Sequence, residues 1–245
     1  MPDFLREGAA RVAVICAGAS NLDRCRREPD ATRRINVDGT LRLVGDLNAR
    51  GVPCVYLSTD CVFDGRCGGY TEEDAPAPVT EYGRQKLEAE EGVLASSSSN
   101  LVLRLCKIVG DIPGEMHLFT EWRGLQQAGR PIRCIRGQLF SPTWVEDVVA
   151  GVLAAVRIGL TGRYHLSALE VWMRADLVRR FLGVLGATAE IIEEDVAAFG
   201  FLEERALRSW LDGTRFARET GHRFATMAEV LASFNARLAA GRVAR

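Results

Sequence analysis

The sequence predicts an α/β fold built on a doubly wound parallel sheet. Three observations predict it. Short apolar runs of strand length alternate with longer segments of helical period. The runs are nearly continuous in apolar residues, as strands covered on both faces must be. Strands separated by helices imply βαβ units, which place successive strands parallel. The length and composition agree, since 245 residues that are 47% hydrophobic and 26% charged can bury one compact core with a small appendage.

Residues 11–16 (RVAVIC) read as the first buried strand, ending in a tight turn at Ala17-Gly18-Ala19. Residues 29–50 read as a helix, with Ala31, Ile35, Leu41, Val44 and Leu47 at a broken three-to-four spacing and Gly51 as its stop. Residues 52–57 (VPCVYL) form the second strand and run directly into Ser58-Thr59-Asp60. A loop rich in Gly, Pro and acid covers 65–80, a helix 82–95, a polar connector 96–100, and a third buried strand 101–109. Further on, 144–158 has the wide apolar face of a packed helix. A short strand at 164–166, a helix at 173–185, a strand at 189–192 and a terminal helix through Met227, Val230, Leu231, Phe234 and Leu238 complete the pattern. The first three strands should lie side by side in that order, with helices on both faces. Residues 1–110 are expected to form the core of the fold, and 111–245 a mixed region that completes the sheet and adds a smaller lobe.

Several function classes are excluded at this stage. The longest uncharged apolar stretches, such as 148–156, fall far short of the roughly 20 residues of a membrane span. No leader-like pattern opens the chain, so a cytoplasmic location is expected. A formal net charge of −1 gives no basic surface for nucleic acid. The seven cysteines include no CxxC pair and read as reduced, mostly structural residues. Three scattered histidines, 117, 165 and 222, give no metal site.

Of 31 basic residues only Lys86 and Lys107 are lysines, which makes each a candidate for work that a compact ammonium does and a guanidinium does not. In open parallel sheets ligands bind beyond the carboxyl ends of the strands. Three segments converge there: Ala17-Gly18-Ala19, Ser58-Thr59-Asp60 and Cys106-Lys107. Tyr82 and Lys86 join them on one face of the helix that follows. A tyrosine titrates near 10, and an adjacent ammonium lowers that value and lets the phenol exchange a proton with a carbonyl or hydroxyl. Thr59 or Ser58 can hold the same oxygen. Such a trio suits hydride transfer, with a nicotinamide giving the hydride and Tyr82 the proton.

The segment Ser58-Thr59-Asp60-Cys61-Val62-Phe63-Asp64-Gly65, then Tyr70-Thr71-Glu72-Glu73-Asp74, Pro78 and Tyr82-Gly83-Arg84-Gln85-Lys86-Leu87-Glu88-Ala89-Glu90, resembles the STDYVFDG, YxExD, P and YGxxKxxxE signatures of the dTDP-4-dehydrorhamnose reductase branch of extended short-chain dehydrogenases. Asn36, Leu103-Arg104, Ser141-Pro142-Thr143 and Gly162-Arg163-Tyr164-His165 agree in order. The resemblance implies a Rossmann-like sheet, here N-terminally incomplete, with a small C-terminal substrate lobe. It implies an NAD(P)-dependent reductase of a nucleotide-linked 4-keto sugar. The alternative is a non-catalytic sugar-nucleotide-binding or regulatory protein on the same scaffold. The implied catalytic residues are Thr59, Tyr82 and Lys86. Ala17, Gly18, Ala19, Ser58, Lys86 and Cys106 would contact NADP or NAD, and Asp60, Cys61, Lys107 and Thr143 the sugar nucleotide. Asn36 matches a family asparagine, and a buried amide tying helix to strand is at least as good a reading.

Three departures from the family stand out. The glycine-rich GxxGxxG turn that would hold the pyrophosphate is absent from the sequence, so nicotinamide cofactor is expected to bind weakly or not at all. Cys61 replaces the aromatic of STDYVFDG, and Lys107 stands where a sugar-contacting tryptophan is common. The first strand, resembling an internal strand of the family, should have an unpaired edge. Residues 1–10 or a second chain, as in a homodimer, are expected to cover it, or else the isolated protein is expected to associate nonspecifically.

Overall fold

The computed structural model describes residues 10–110 and 117–240. The first half of the chain runs β1 (Ala13–Ile15), α1 (Leu22–Arg27), α2 (Pro29–Arg33), α3 (Thr40–Asn48), β2 (Cys54–Thr59), α4 (Glu81–Ser96), β3 (Leu101–Leu105) and β4 (Ile108–Val109). The second half runs α5 (Leu118–Gln127), β5 (Ile132–Ile135), β6 (Leu139–Phe140), β7 (Thr143–Trp144), α6 (Val145–Arg157), β8 (Gly162–Leu166), β9 (Trp172–Met173), α7 (Arg174–Leu185), β10 (Ile191–Glu194), α8 (Thr214–Thr220) and α9 (Met227–Ala239).

The main sheet has the order β1-β2-β3-β8, all parallel, with Ile15 opposite Tyr56, Leu57 opposite Leu103 and Leu103 opposite Tyr164. The α/β class and the order of the first three strands are as the sequence predicts. Side chains alternate between two cores, as the two-residue period of a strand requires. On one face Ile15, Cys54, Tyr56 and Val102 meet Val44, Leu47, Ala89 and Val93 from α3 and α4. On the other, Val55, Leu101, Leu103 and Leu166 meet Val148, Val152 and Ala155 of α6 and Phe216 of α8. A third cluster, around Phe119, Trp122, Ile132, Phe181, Val230 and Phe234, packs α5, α7 and α9 against the parallel pair β5 and β10. Among the described residues β1 pairs with β2 alone and Val14 is exposed. The segment expected to cover this edge falls mostly within residues 1–9, outside the described residues. No described helix is long and apolar enough to cross a membrane.

Two expected elements are interrupted. The helix expected over 29–50 contains a π-helical stretch, Arg34–Gly39, between α2 and α3. Gly39 permits it, because a Cβ there would approach the Arg34 carbonyl oxygen to 3.1 Å. The strand expected over 101–109 breaks after Leu105. Ile108 and Val109 leave the main sheet to pair with Thr143 and Trp144, and the Thr143 amide donates to the Lys107 carbonyl at 2.9 Å. The later strand begins at Ile191 rather than 189, because its register is set by pairing with β5.

A buried ion pair joins α4 to β3. Arg104 and Glu90 are both fully buried, and the guanidinium meets the carboxylate through Nε at 3.1 Å and Nη2 at 2.8 Å. Arg163 of β8 reaches the same carboxylate at 3.3 Å. The loop after β2 is clamped to the chain near 210. Gly69 donates to the Trp210 carbonyl, Arg208 to that of Gly65, and Asp212 to that of Tyr70. Gly65 and Gly68 both have positive φ, and a Cβ on either would lie 2.2 Å from Ala206 or Trp210. Tyr70 stacks on Phe63 with centroids 4.3 Å apart, and Glu72 accepts from the His165 amide at 2.9 Å. The acidic loop is therefore a structural clasp between the two halves of the chain.

Candidate active site

The carboxyl ends of β1, β2 and β3 open into a cleft of about 670 Å³. Cys16, Ala17 and Gly18 line it after β1, Ser58 to Cys61 after β2, and Cys106 and Lys107 after β3. The opposite wall comes from later in the chain and includes Ile135, Gln138, Phe140, Arg174, Arg205 and Ser209.

The helix α4 brings Tyr82 and Lys86 to the same cleft. Thr80 starts that helix as its N-cap, its hydroxyl accepting from the Gly83 amide at 3.1 Å. Gly83 lets the helix approach the end of β2, since a Cβ there would lie 2.1 Å from the Cys61 carbonyl oxygen. The Tyr82 side chain lines the cleft together with Thr59. Thr59 Oγ1 donates to Asp60 Oδ1 at 2.9 Å and accepts from the Cys61 amide at 3.2 Å. One turn along, Lys86 Nζ donates to the Leu57 carbonyl at 2.7 Å and sits 3.9 Å above the Tyr56 ring.

Burial governs the titration of these groups. It pushes Lys86 down to about 8, with Glu90 opposing. It pushes Tyr82 well above its ordinary value, helped by Cys61 and Asp60 beside it and opposed by Thr59. The sequence argument expects Lys86 to lower the phenol instead. Its ammonium, directed at the Leu57 carbonyl, does not outweigh desolvation, so Tyr82 is held protonated. The Asp60 carboxyl is raised by burial, against hydrogen bonds from its neighbours. Cys61 and Cys106 each place Sγ 3.7 Å from an Asp60 oxygen, and both are raised by burial, so they stay as thiols.

Thr59, Tyr82, Lys86, Ser58, Ala17, Gly18, Asp60, Cys61, Cys106 and Lys107 all line the cleft. Ala19 is held just behind it, its amide donating to Asn36 Oδ1 at 2.7 Å and its carbonyl accepting from Asn36 Nδ2 at 3.0 Å. Asn36 also donates to Gln85 Oε1 at 2.8 Å, so this buried amide ties the turn after β1 to α4. Thr143 lies apart. It is fully buried, and its hydroxyl accepts from the Ala168 amide at 2.9 Å, which commits it to packing β7 rather than to a ligand. Gln138, Arg174, Arg205 and Ser209 were not expected. They come from three separate later segments, and no local pattern marks them.

A nicotinamide nucleotide is the group the fold implies, and one buried atom fits it. Ser58 is buried, lines the cleft, and its Oγ has no hydrogen-bond partner among the described residues. A buried hydroxyl without a partner is costly unless a ligand supplies one. The cleft presents the Ser58 and Thr59 hydroxyls, the Tyr82 phenol and the Lys86 ammonium together.

The chain is 29% identical over 243 residues to the "Probable low-salt glycan biosynthesis reductase Agl14" of Haloferax volcanii, covering 96% of this chain and 80% of that protein. It is 33% identical over 173 residues to methionine adenosyltransferase 2 subunit beta of Pongo abelii, covering 68% of this chain and 52% of the relative. The chain thus spans about half the length of that second relative. The structure superposes with a TM-score of 0.88, at 22% identity and over 96% of this chain and 83% of the other, on a dTDP-4-dehydrorhamnose reductase from Bacillus anthracis in complex with NADP. The sequence pattern described as RmlD substrate binding domain matches residues 1–240, and the chain belongs to that family.

Proposed function

We propose that the chain reduces the ketone of a nucleotide-linked 4-keto sugar with NADPH or NADH. The observation that carries this reading is the meeting of Thr59, Tyr82 and Lys86 at one corner of the cleft. A reduced nicotinamide, when bound, supplies a hydride to the carbonyl carbon. Tyr82, held protonated by its surroundings, gives its proton to the carbonyl oxygen, and the resulting phenolate is reprotonated from solvent. Thr59 orients the same oxygen. Lys86, one helical turn away, stabilises the phenolate as it forms. Ala17, Gly18, Ala19, Ser58, Lys86 and Cys106 stand on the cofactor side of this reading, and Asp60, Cys61 and Lys107 on the sugar side. The division into a core at 1–110 and a substrate-facing region at 111–245 belongs to the same proposal.

Turnover of nucleotide-linked 4-keto sugars, followed by loss of the reduced-nicotinamide absorbance, tests it. Tyr82→Phe is expected to lower turnover by about 10²-fold or more, the range for loss of a general acid. Unchanged turnover removes Tyr82 as the acid. A second reading, a non-catalytic sugar-nucleotide-binding or regulatory protein, is favoured by the likeness to the methionine adenosyltransferase subunit. It predicts that the nucleotide sugar binds and is never reduced.

A further inference from the structure

The cleft is unequally charged. Lys86, Lys107, Arg174 and Arg205 line it against a single carboxylate, Asp60, whose burial favours its neutral form. The four cations are not equally free. Lys86 is spent on the Leu57 carbonyl, and Arg205 pairs with Asp23 at 2.5 Å. Arg174 Nη1 donates to Gln138 Oε1 at 3.2 Å, and Arg174 also lines a second cavity of about 380 Å³ away from the reacting corner. The Lys107 side chain has neither a hydrogen bond nor an ion pair among the described residues, and it is exposed to the cleft.

Its position is set by the break in the third strand. Thr59 Oγ1 donates to Asp60 Oδ1, Asp60 Oδ2 accepts from Cys106 Sγ at 3.7 Å, and Lys107 is the next residue. Lys107 is thus the chain neighbour of the last residue in a short line of contacts that starts on the hydroxyl proposed to hold the reacting oxygen, and it lines the same cleft. In the reading given above Lys107 stands on the sugar side of the cleft, so a ligand group that reaches it belongs to the sugar. An unpaired ammonium in a protein-walled cleft is a recognition element for an anion. We propose that Lys107 is a specificity-determining residue that binds a carboxylate on that sugar, so that the substrate is a nucleotide-linked uronic acid. This rests on the nucleotide-sugar reading given above.

Calorimetric titration of UDP-glucuronate and UDP-glucose, two probes that differ by the carboxylate and need no turnover, tests it with the full chain. A charge-assisted contact is worth enough to give wild type about a tenfold preference for UDP-glucuronate. Lys107→Met is expected to bind the two with the same affinity. Equal binding of both probes by wild type, or a preference that survives in Lys107→Met, overturns the inference while leaving the nucleotide-sugar reading in place. A loss of equal size for both probes in Lys107→Met also overturns it, by placing Lys107 on the diphosphate they share. Failure of both probes to bind wild type overturns both readings together.

Discussion

Lys86 carries its charge at a cost that can be removed. The residue is 5% exposed, and burial brings its titration from an ordinary 10.5 to about 8. Between those values the unfolded chain binds a proton that the folded chain has released, so stability rises with pH across that window. Below it both states are protonated, and the folded state bears the whole penalty. At about 1.36 kcal/mol per pH unit, the shift corresponds to about 3 kcal/mol near neutral pH. Lys86→Met keeps the length of the side chain and removes the charge. It also deletes the donor to the Leu57 carbonyl, which costs about 1 kcal/mol. The variant is therefore expected to be more stable than wild type by about 2 kcal/mol near pH 7, or about 4 to 8 °C in Tm for a chain of this size. Paired urea denaturation curves at several pH values check this, because titrations shared by the two proteins cancel in the difference. The gap should close as pH rises from 8 toward 10.5. A Met variant less stable than wild type near pH 7, or a gap indifferent to pH, would refute the reasoning.

Other expectations follow from the same physics. Glu90→Ala leaves the Arg104 guanidinium buried without its carboxylate and should cost about 3 to 5 kcal/mol by urea denaturation. Restoring a neutral interior with a second change, Arg104→Met, should recover much of that loss. Gly83→Ala drives a Cβ to within 2.1 Å of the Cys61 carbonyl oxygen, so α4 must shift. The Tyr82→Phe and Gly83→Ala proteins should then lose turnover alike, while the second alone also loses thermal stability. His165 is pushed down to about 3 by burial and by Arg104. Its unfolded form takes up a proton near 6.5, so stability falls as pH drops from there toward 3, and His165→Phe should flatten that part of the stability profile.

The sheet was legible because each of its first three strands is an apolar run bounded by turn residues, and parallel strands buried on both faces leave that mark. The break at Cys106-Lys107 was not, because the run continues in sequence through Ile108 and Val109. Only the pairing with Thr143 and Trp144 decides where the strand leaves the sheet. The π-helical stretch within 29–50 was hidden for a similar reason, since its hydrophobic spacing still fits a helix. Residues at one end of the sheet could be grouped by the rule that ligands sit at strand ends. Gln138, Arg174, Arg205 and Ser209 reach the cleft through long-range folding, and a local pattern carries no trace of that. Thr143 shows the converse, a hydroxyl that follows a recognisable motif but is spent on the Ala168 amide.

The two walls of the cleft differ in how freely they can change. The reacting corner is fixed by the register of β2 and by the seating of α4 on Gly83, where one added methyl group collides with backbone. The facing wall is assembled from short segments between 135 and 209, joined to the first by the clasp around Gly65 and Gly68. Substitutions along that wall can alter what is admitted without disturbing how the proton is given. Ligand preference can therefore diverge among copies of this scaffold faster than reaction type does. For an engineer, the practical target is the second wall: libraries at Gln138 and Arg174 should retune the ligand while Thr59, Tyr82 and Lys86 are left untouched.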